Sequence, residues 1–175
     1  MSTPLILRRS AAYFVDVALL FAALGPMAFL VRSVVGVRPV TGFEIWVVTL
    51  TSFSIPVWLY FALCDASRTG ATVGKRVVGL AVRPHGPSGR VGLPRAVLRT
   101  AVKLAPWEIA HVVGFALADV IGPAVQMTGL VVANVLAVVW FGSAVVTGGS
   151  RSVHDRAAGT QVVEREDGGS VGPTA

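Results

Sequence analysis

Three long stretches of the chain carry no charged residue, and they constrain the fold more than any other feature. They cover residues 17–31, 45–64 and 120–150. Each is at or near the about 20 residues that cross a bilayer as a helix, once flanking residues are added to the first. Charged residues make up 14% of the chain, whereas about 25% is usual for a soluble domain. The sequence therefore predicts an integral membrane protein.

The apolar stretches and their flanks predict four transmembrane helices. Their approximate bounds are residues 10–31, 43–64, 105–121 and 125–147. The predicted fold class is an all-α membrane protein, a four-transmembrane-helix bundle with a small cytoplasmic β-hairpin. The membrane domain is expected to cover residues 1–163. Residues 164–175 are polar and contain glycine, which predicts a disordered tail.

The segment between the second and third helices, residues 65–103, is basic and too charged to cross the membrane. Within it, residues 75–82 are rich in β-branched side chains and predict a strand. Residues 83–89 contain glycine and proline and predict a turn. Residues 90–93 would then form the second strand of a hairpin. We therefore expect the hairpin in this loop, lying against the membrane.

The distribution of positive charge predicts the orientation. Apart from Arg32 and Arg38, every Lys and Arg lies in the N-terminal segment, the 65–103 loop or the segment after the fourth helix. Cytoplasmic loops of membrane proteins carry an excess of Lys and Arg. We therefore predict a multi-pass protein of the plasma membrane, with both termini and the basic loop in the cytoplasm.

One carboxylate, Asp16, interrupts the start of the first helix. On a helix, Arg9 and Asp16 lie on nearly the same face, about 10 Å apart along the axis. An ionisable group inside a membrane is a candidate functional site, so Asp16 is a candidate proton or cation site. The alternative is a structural acid, stabilised by the N-terminal dipole of the helix and paired with an arginine.

Three separated motifs occur in a fixed order around the hydrophobic helices. They are Arg9-x-x-Ala12-x-x-x-Asp16 at the start, ATVGKRVVGLAV at residues 71–82, and RSVHDRAAGTQVV at residues 151–163. In this order they resemble the RDD family of bacterial and archaeal integral membrane proteins, up to residue 163. The family takes its name from one Arg and two Asp, and by position these resemble Arg9, Asp16 and Asp155. The resemblance implies a small multi-helix membrane domain, for which transport is often suggested.

Asp155 follows the fourth helix and is flanked by His154 and Arg156. We expect it to return to the inner end of the bundle beside Asp16. There it either orients an arginine at an ion entrance or forms an ionic latch that ties the following segment to the bundle.

The predicted third helix carries a polar stripe. Glu108 and Asp119 share one helical face, and His111 lies about 60° away. Together with Asp16, these residues are candidates for an ion or proton path. Alternatively, Glu108 and Asp119 lie at the two ends of the helix, and the His111 ring has its hydrogen-bond partners inside the bundle.

Four basic residues are candidates for contact with anionic lipid headgroups at the inner face: Lys75, Arg76, Arg151 and Arg156. Lys75 and Arg76 follow a glycine-containing segment whose spacing does not fit a phosphate-binding loop, and they are alternatively expected to hold the fold of the loop. We expect no nucleic-acid partner. The predicted partners are the lipid bilayer, anionic lipid headgroups, and a further copy of the chain or another membrane protein.

The residues indicate neither an enzyme nor a resident cofactor or metal. Three scattered histidines and a single cysteine do not form a metal-ligand pattern, and no nucleophile has a paired base. Our first functional expectation is a small transporter or transport accessory, oligomeric because four helices enclose little room for a path. The alternative is a scaffold or regulatory subunit that binds a partner or anionic lipid without transport.

Overall fold

The computed structural model describes residues 3–36, 38–86 and 89–165. Three of its helical segments are long and apolar enough to cross a membrane: Leu5–Val34, Gly42–Ala66 and Pro123–Val146. The first is most of α1 (Leu5–Val35), and the last is α6 (Pro123–Val146). Much of their surface consists of exposed apolar side chains, such as Phe14, Phe29 and Val138. A surface of this kind is suited to lipid rather than water.

The middle segment, Gly42–Ala66, is built from two helices joined by a wider turn. α2 (Gly42–Thr49) begins with a capping box between Thr41 and Glu44. A π-helical turn over Leu50–Ser54 then leads into α3 (Ile55–Ala66). Pro56, in the first turn of α3, has no N–H to donate to the preceding turn. The π-helical turn lies where the regular hydrogen-bond ladder could not continue through that proline.

The predicted third transmembrane helix has different bounds, and a count of four spans is not confirmed among the described residues. α5 runs over Leu93–His111 and continues as a π-helical turn over Val112–Ala116. Its first half carries Arg95, Arg99 and Lys103. Because these cations interrupt the apolar pattern, α5 is amphipathic, and its later half is the more apolar one. It packs against α3 on one side and α6 on the other.

A small sheet is present, but the predicted hairpin is wrong. β1 (Leu80–Pro84) pairs antiparallel with β2 (Thr160–Glu164), and Val82 lies opposite Val162. The start of the predicted first strand is instead a short helix, α4 (Val73–Val77), because the Thr72 side chain accepts the Lys75 N–H and caps it. β2 ends at Glu164, the first residue of the predicted tail, and residues 166–175 lie outside the described residues.

The polar end of the molecule is formed by α4, the two-stranded sheet, the start of α5 and a short helix, α7 (Val153–Ala157). It has a small core of Val82, Val91 and Ala96. A separate core among the long helices contains Leu20, Val57, Phe61 and Leu104. The core of the polar end packs against Ala66, at the end of α3. Ion pairs and hydrogen bonds, described below, join the polar end to the other long helices.

We predict that Gly74→Ala destabilises the protein by about 1–3 kcal/mol, the usual cost of overpacking. A Cβ at Gly74 would overlap the carbonyl oxygen of Ala12 and lie 3.0 Å from the Asp16 carboxyl carbon. Thermal unfolding of detergent-solubilised protein measures the effect. Gly142→Ala is the matched control, because a Cβ there meets nothing within 4 Å. Equal stability of the two variants would contradict the close approach of α4 to α1.

Candidate functional site

Asp16 joins α1 to α4 and α3. Its side chain is 1% exposed. Oδ1 accepts hydrogen bonds from the Tyr60 hydroxyl at 2.6 Å and the Gly74 N–H at 2.7 Å, and Oδ2 accepts one from the Thr72 hydroxyl at 2.6 Å. Charged acceptors form the stronger hydrogen bonds. Asp16 therefore binds the start of α4, rather than an arginine as one interpretation of the sequence predicted.

Arg9 instead pairs with Asp155. Its Nη2 lies 2.5 Å from Asp155 Oδ2, and its Nη1 donates to the Gly149 carbonyl oxygen at 2.9 Å. Asp155 is fully buried at the start of α7, where it also accepts from the Ser152 N–H at 2.9 Å as part of a capping box. The pair fixes the start of α1 against the segment that follows α6.

Asp155 continues into a longer chain of buried ion pairs. Arg99 Nε donates to Asp155 Oδ1 at 3.0 Å, and Arg99 Nη1 pairs with Asp65 Oδ2. Asp65 Oδ1 in turn lies 2.5 Å from Lys75 Nζ. We call these five residues, Arg9, Asp155, Arg99, Asp65 and Lys75, the ion-pair chain. It connects α1, α7, α5, α3 and α4 in that order.

Asp65 and Arg99 are the members of the ion-pair chain that sequence reasoning missed. Both lie within the basic segment 65–103, whose composition does not single out either residue. Both side chains are buried, at 0% and 2% exposure. A signal was present in the sequence, because Asp65 directly follows an apolar stretch and a buried carboxylate requires a cationic partner.

Burial and the neighbouring charges set the protonation states of Asp155 and His154 in α7. Burial alone would raise the pKa of Asp155, but the charges of Arg99 and Arg9 and the Ser152 N–H hold it well below its usual range. Burial and the charge of Arg99 lower the pKa of His154 well below 6.5. The hydrogen-bond geometry also indicates a neutral His154. Its Nε2 lies 3.0 Å from Arg9 Nη2, which can only donate, so Nε2 accepts and carries no proton. Asp155 is therefore ionised and His154 neutral near pH 7.

A cavity of about 500 Å³ lies against the ion-pair chain, between α1, α3, α5 and α6. Its polar lining includes Arg9, Asp16, Lys75, Arg99 and Lys103. The rest of its lining is largely apolar. Phe14, Phe21 and Phe141 line it and are each more than half exposed, so the cavity is open beside them.

The sequence matches the family model described as "RDD family" over residues 3–159. The chain belongs to the RDD family. The matched region contains Arg9, Asp16 and Asp155, and with them every member of the ion-pair chain. No match was found among curated proteins or among solved structures. With its long apolar helices, the chain is a membrane protein of the RDD type.

The candidate path residues of this RDD protein are not all brought together. Glu108 accepts a hydrogen bond from Trp58 Nε1 at 3.1 Å, and His111 packs between Trp107 and Phe115. Asp119 accepts the Gly42 N–H at 2.7 Å, at the start of α2. Of the four candidates, Asp16 lines the cavity, whereas Glu108, His111 and Asp119 do not.

The four basic residues predicted to contact lipid lie in different surroundings. Lys75 is buried and pairs with Asp65. Arg76 is exposed and donates to the Ala71 carbonyl oxygen at 3.1 Å, so it also supports the loop. Arg156 is exposed, and Arg151 is half-buried. In the RDD chain, Arg76 and Arg156 are thus the members of this set that present an exposed cation.

We predict that Asp155→Asn lowers the free energy of unfolding by about 3–5 kcal/mol, the usual cost of breaking a buried pair. The change leaves Arg9 and Arg99 without their shared carboxylate. Glu164→Gln is the control, since that carboxylate pairs with Arg8 but is 63% exposed, and we expect a loss below about 1 kcal/mol. Denaturant unfolding in detergent measures both. An Asp155→Asn variant as stable as Glu164→Gln would show that the ion-pair chain does not support the fold.

We predict that acid destabilises the protein partly through His154. Because its pKa is lower in the folded protein than in the unfolded chain, the unfolded state binds the proton first. The stabilising contribution is therefore full above about pH 6.5 and is lost as the pH falls toward the folded pKa. The free energy of unfolding, measured from pH 7.5 to 5, should fall less steeply in His154→Gln. An unchanged slope would contradict this assignment.

Proposed function

We propose that this RDD protein is a multi-pass protein of the prokaryotic plasma membrane that moves, or helps to move, an ion or small solute. The cavity is the binding space, and Asp16 is the proton or cation site at its polar end. The cavity carries the proposal, because buried ionisable groups beside an open space in a membrane domain characteristically mark a solute pathway. Both termini and the polar end lie in the cytoplasm, as the distribution of arginine and lysine favours.

The ion-pair chain acts as the cytoplasmic closure of the cavity in this proposal. Arg9 and Asp155 link the start of α1 to α7, and Arg99 links α7 to α3 through Asp65. For a solute to pass between the cavity and the cytoplasm, at least one of these links must separate. Buried pairs of this kind favour one well-defined arrangement, and the second arrangement must supply replacement partners.

The hydrogen bonds of Asp16 couple its charge to that closure. The ionised carboxylate holds the start of α4 through the Gly74 N–H and the Thr72 hydroxyl. The next residue in α4, Lys75, pairs with Asp65 of the ion-pair chain. Protonation, or a cation that takes over the carboxylate oxygens, would weaken the attachment of α4, because a neutral carboxyl group accepts hydrogen bonds less strongly. Binding at Asp16 and opening of the closure are thereby linked.

A homo-oligomer is part of this proposal. α1 and α6 expose large apolar side chains along their length. A second copy of the chain or another membrane protein would cover part of that surface.

The test is a flux screen on purified protein in vesicles, with gradients of protons and of several alkali cations. We expect Asp16→Asn to abolish the flux found for wild type while the protein remains monodisperse. Tyr60→Phe removes one hydrogen-bond donor and keeps the carboxylate, so it should retain flux with a shifted pH dependence. Glu164→Gln is the control for an exposed carboxylate.

Normal flux in Asp16→Asn would remove Asp16 from the mechanism. Absence of flux in wild type for every cation and pH gradient would favour a second function, a scaffold or regulatory subunit that binds a partner or anionic lipid. One observation supports that second function: the polar end exposes the side chains of Arg68, Arg76, Arg90, Arg95 and Arg156. Such clusters attract anionic headgroups at a membrane surface.

A further inference from the structure

Lys103 is the cation of the cavity for which the described residues provide no carboxylate. Its Nζ lies 3.2 Å from the centre of the Phe61 ring and 5.3 Å from that of Tyr13. Among residues 3–36, 38–86 and 89–165, it makes neither an ion pair nor a hydrogen bond. The faces of aromatic rings attract a cation but do not neutralise it.

The nearby carboxylates are already engaged. Asp65 pairs with Lys75 and Arg99, and Asp155 pairs with Arg9 and Arg99. Asp16 accepts three hydrogen bonds from groups other than Lys103. The three carboxylates face four cations, Arg9, Lys75, Arg99 and Lys103. The surroundings of the cavity therefore carry one excess positive charge when all of these groups are ionised.

The rest of the cavity is largely apolar and elongated. On α1 its lining extends from Ile6 to Phe21, which corresponds to about 22 Å of helix. The apolar lining includes Leu20, Val57, Trp107 and Phe141. A volume of about 500 Å³ is in the range of about 300–1,000 Å³ typical of small-ligand sites. The space therefore has a cationic end and a long apolar end, and it opens beside lipid-facing side chains.

We propose that the cavity binds one long-chain carboxylate from the membrane, with its carboxylate at Lys103 and its alkyl chain along α1 and α6. A single negative charge matches the single excess positive charge, and one alkyl chain matches an elongated space of this size. This inference rests on the proposed function in that it names the ligand class of the same cavity. Equilibrium binding requires no flux, so the two are tested separately.

The electrostatics of Lys103 reflect the lack of a paired carboxylate. Burial and the charges of Lys75 and Arg99 lower the pKa of Lys103 well below its usual value. A bound carboxylate would supply the missing partner and favour the charged form of Lys103.

The experiment compares the binding of radiolabelled oleate and oleyl alcohol to the purified full chain in a neutral detergent. The two probes share the chain and differ in charge. We expect wild type to bind oleate at least tenfold more tightly than oleyl alcohol. Lys103→Met should lower the affinity for oleate at least tenfold and leave that for oleyl alcohol nearly unchanged, whereas Lys103→Arg should retain the preference. Arg95→Met, an exposed cation on the same helix, is the matched control.

A second variant tests the position of the chain. Ala137 lines the cavity on α6 and is exposed, so Ala137→Phe should fill the space without disturbing the core and weaken both probes. Equal affinity of wild type for oleate and oleyl alcohol, or an unchanged oleate affinity in monodisperse Lys103→Met, would overturn the inference. Oleate binding without any flux would contradict the proposed function alone, and flux without oleate binding would contradict this inference alone.

Discussion

The burial of Arg99 between two aspartates is the interaction on which the rest of the polar end depends. Its guanidinium is 2% exposed and pairs with both Asp65 and Asp155. A charge in such a site is costly unless every partner is in place, and loss of one partner leaves another charge uncompensated. Because Asp65 ends α3 and Asp155 starts α7, this requirement brings segments that are distant in the sequence to one position. The sheet and α4 assemble around that position.

The features that were predicted correctly from the sequence are those that depend on local pattern. Uninterrupted apolar stretches located the three candidate spans, and the order of the motifs around Arg9, Asp16 and Asp155 indicated the RDD family. The pairing of strands is different, because it joins residues that are far apart in the sequence. Residues 80–84 have the composition of a strand, but nothing within the loop shows that their partner is β2 rather than residues 90–93.

In the candidate site, too, local sequence pattern identifies some residues, whereas others depend on tertiary contacts. Asp16 is a carboxylate at the start of an apolar helix, so the sequence singles it out as a candidate site residue. Lys75 and Arg99 lie in a segment with the composition of a solvated basic loop, and composition alone does not separate a buried cation from an exposed one such as Arg76. Their burial depends on Asp65 and on the packing of α5 against α3. Such a tertiary arrangement is not visible in a single stretch of sequence.

Arg9, Asp16 and Asp155 tie α1 to the polar end through two separate sets of contacts. Arg9 and Asp16 both belong to α1, yet they do not pair with each other. Asp16 holds the start of α4, and Lys75 of α4 begins a series of ion pairs through Asp65, Arg99 and Asp155 that returns to Arg9. The contacts therefore form a closed circuit that starts and ends on α1. Because of this circuit, α1 cannot shift relative to the polar end unless one of the links separates.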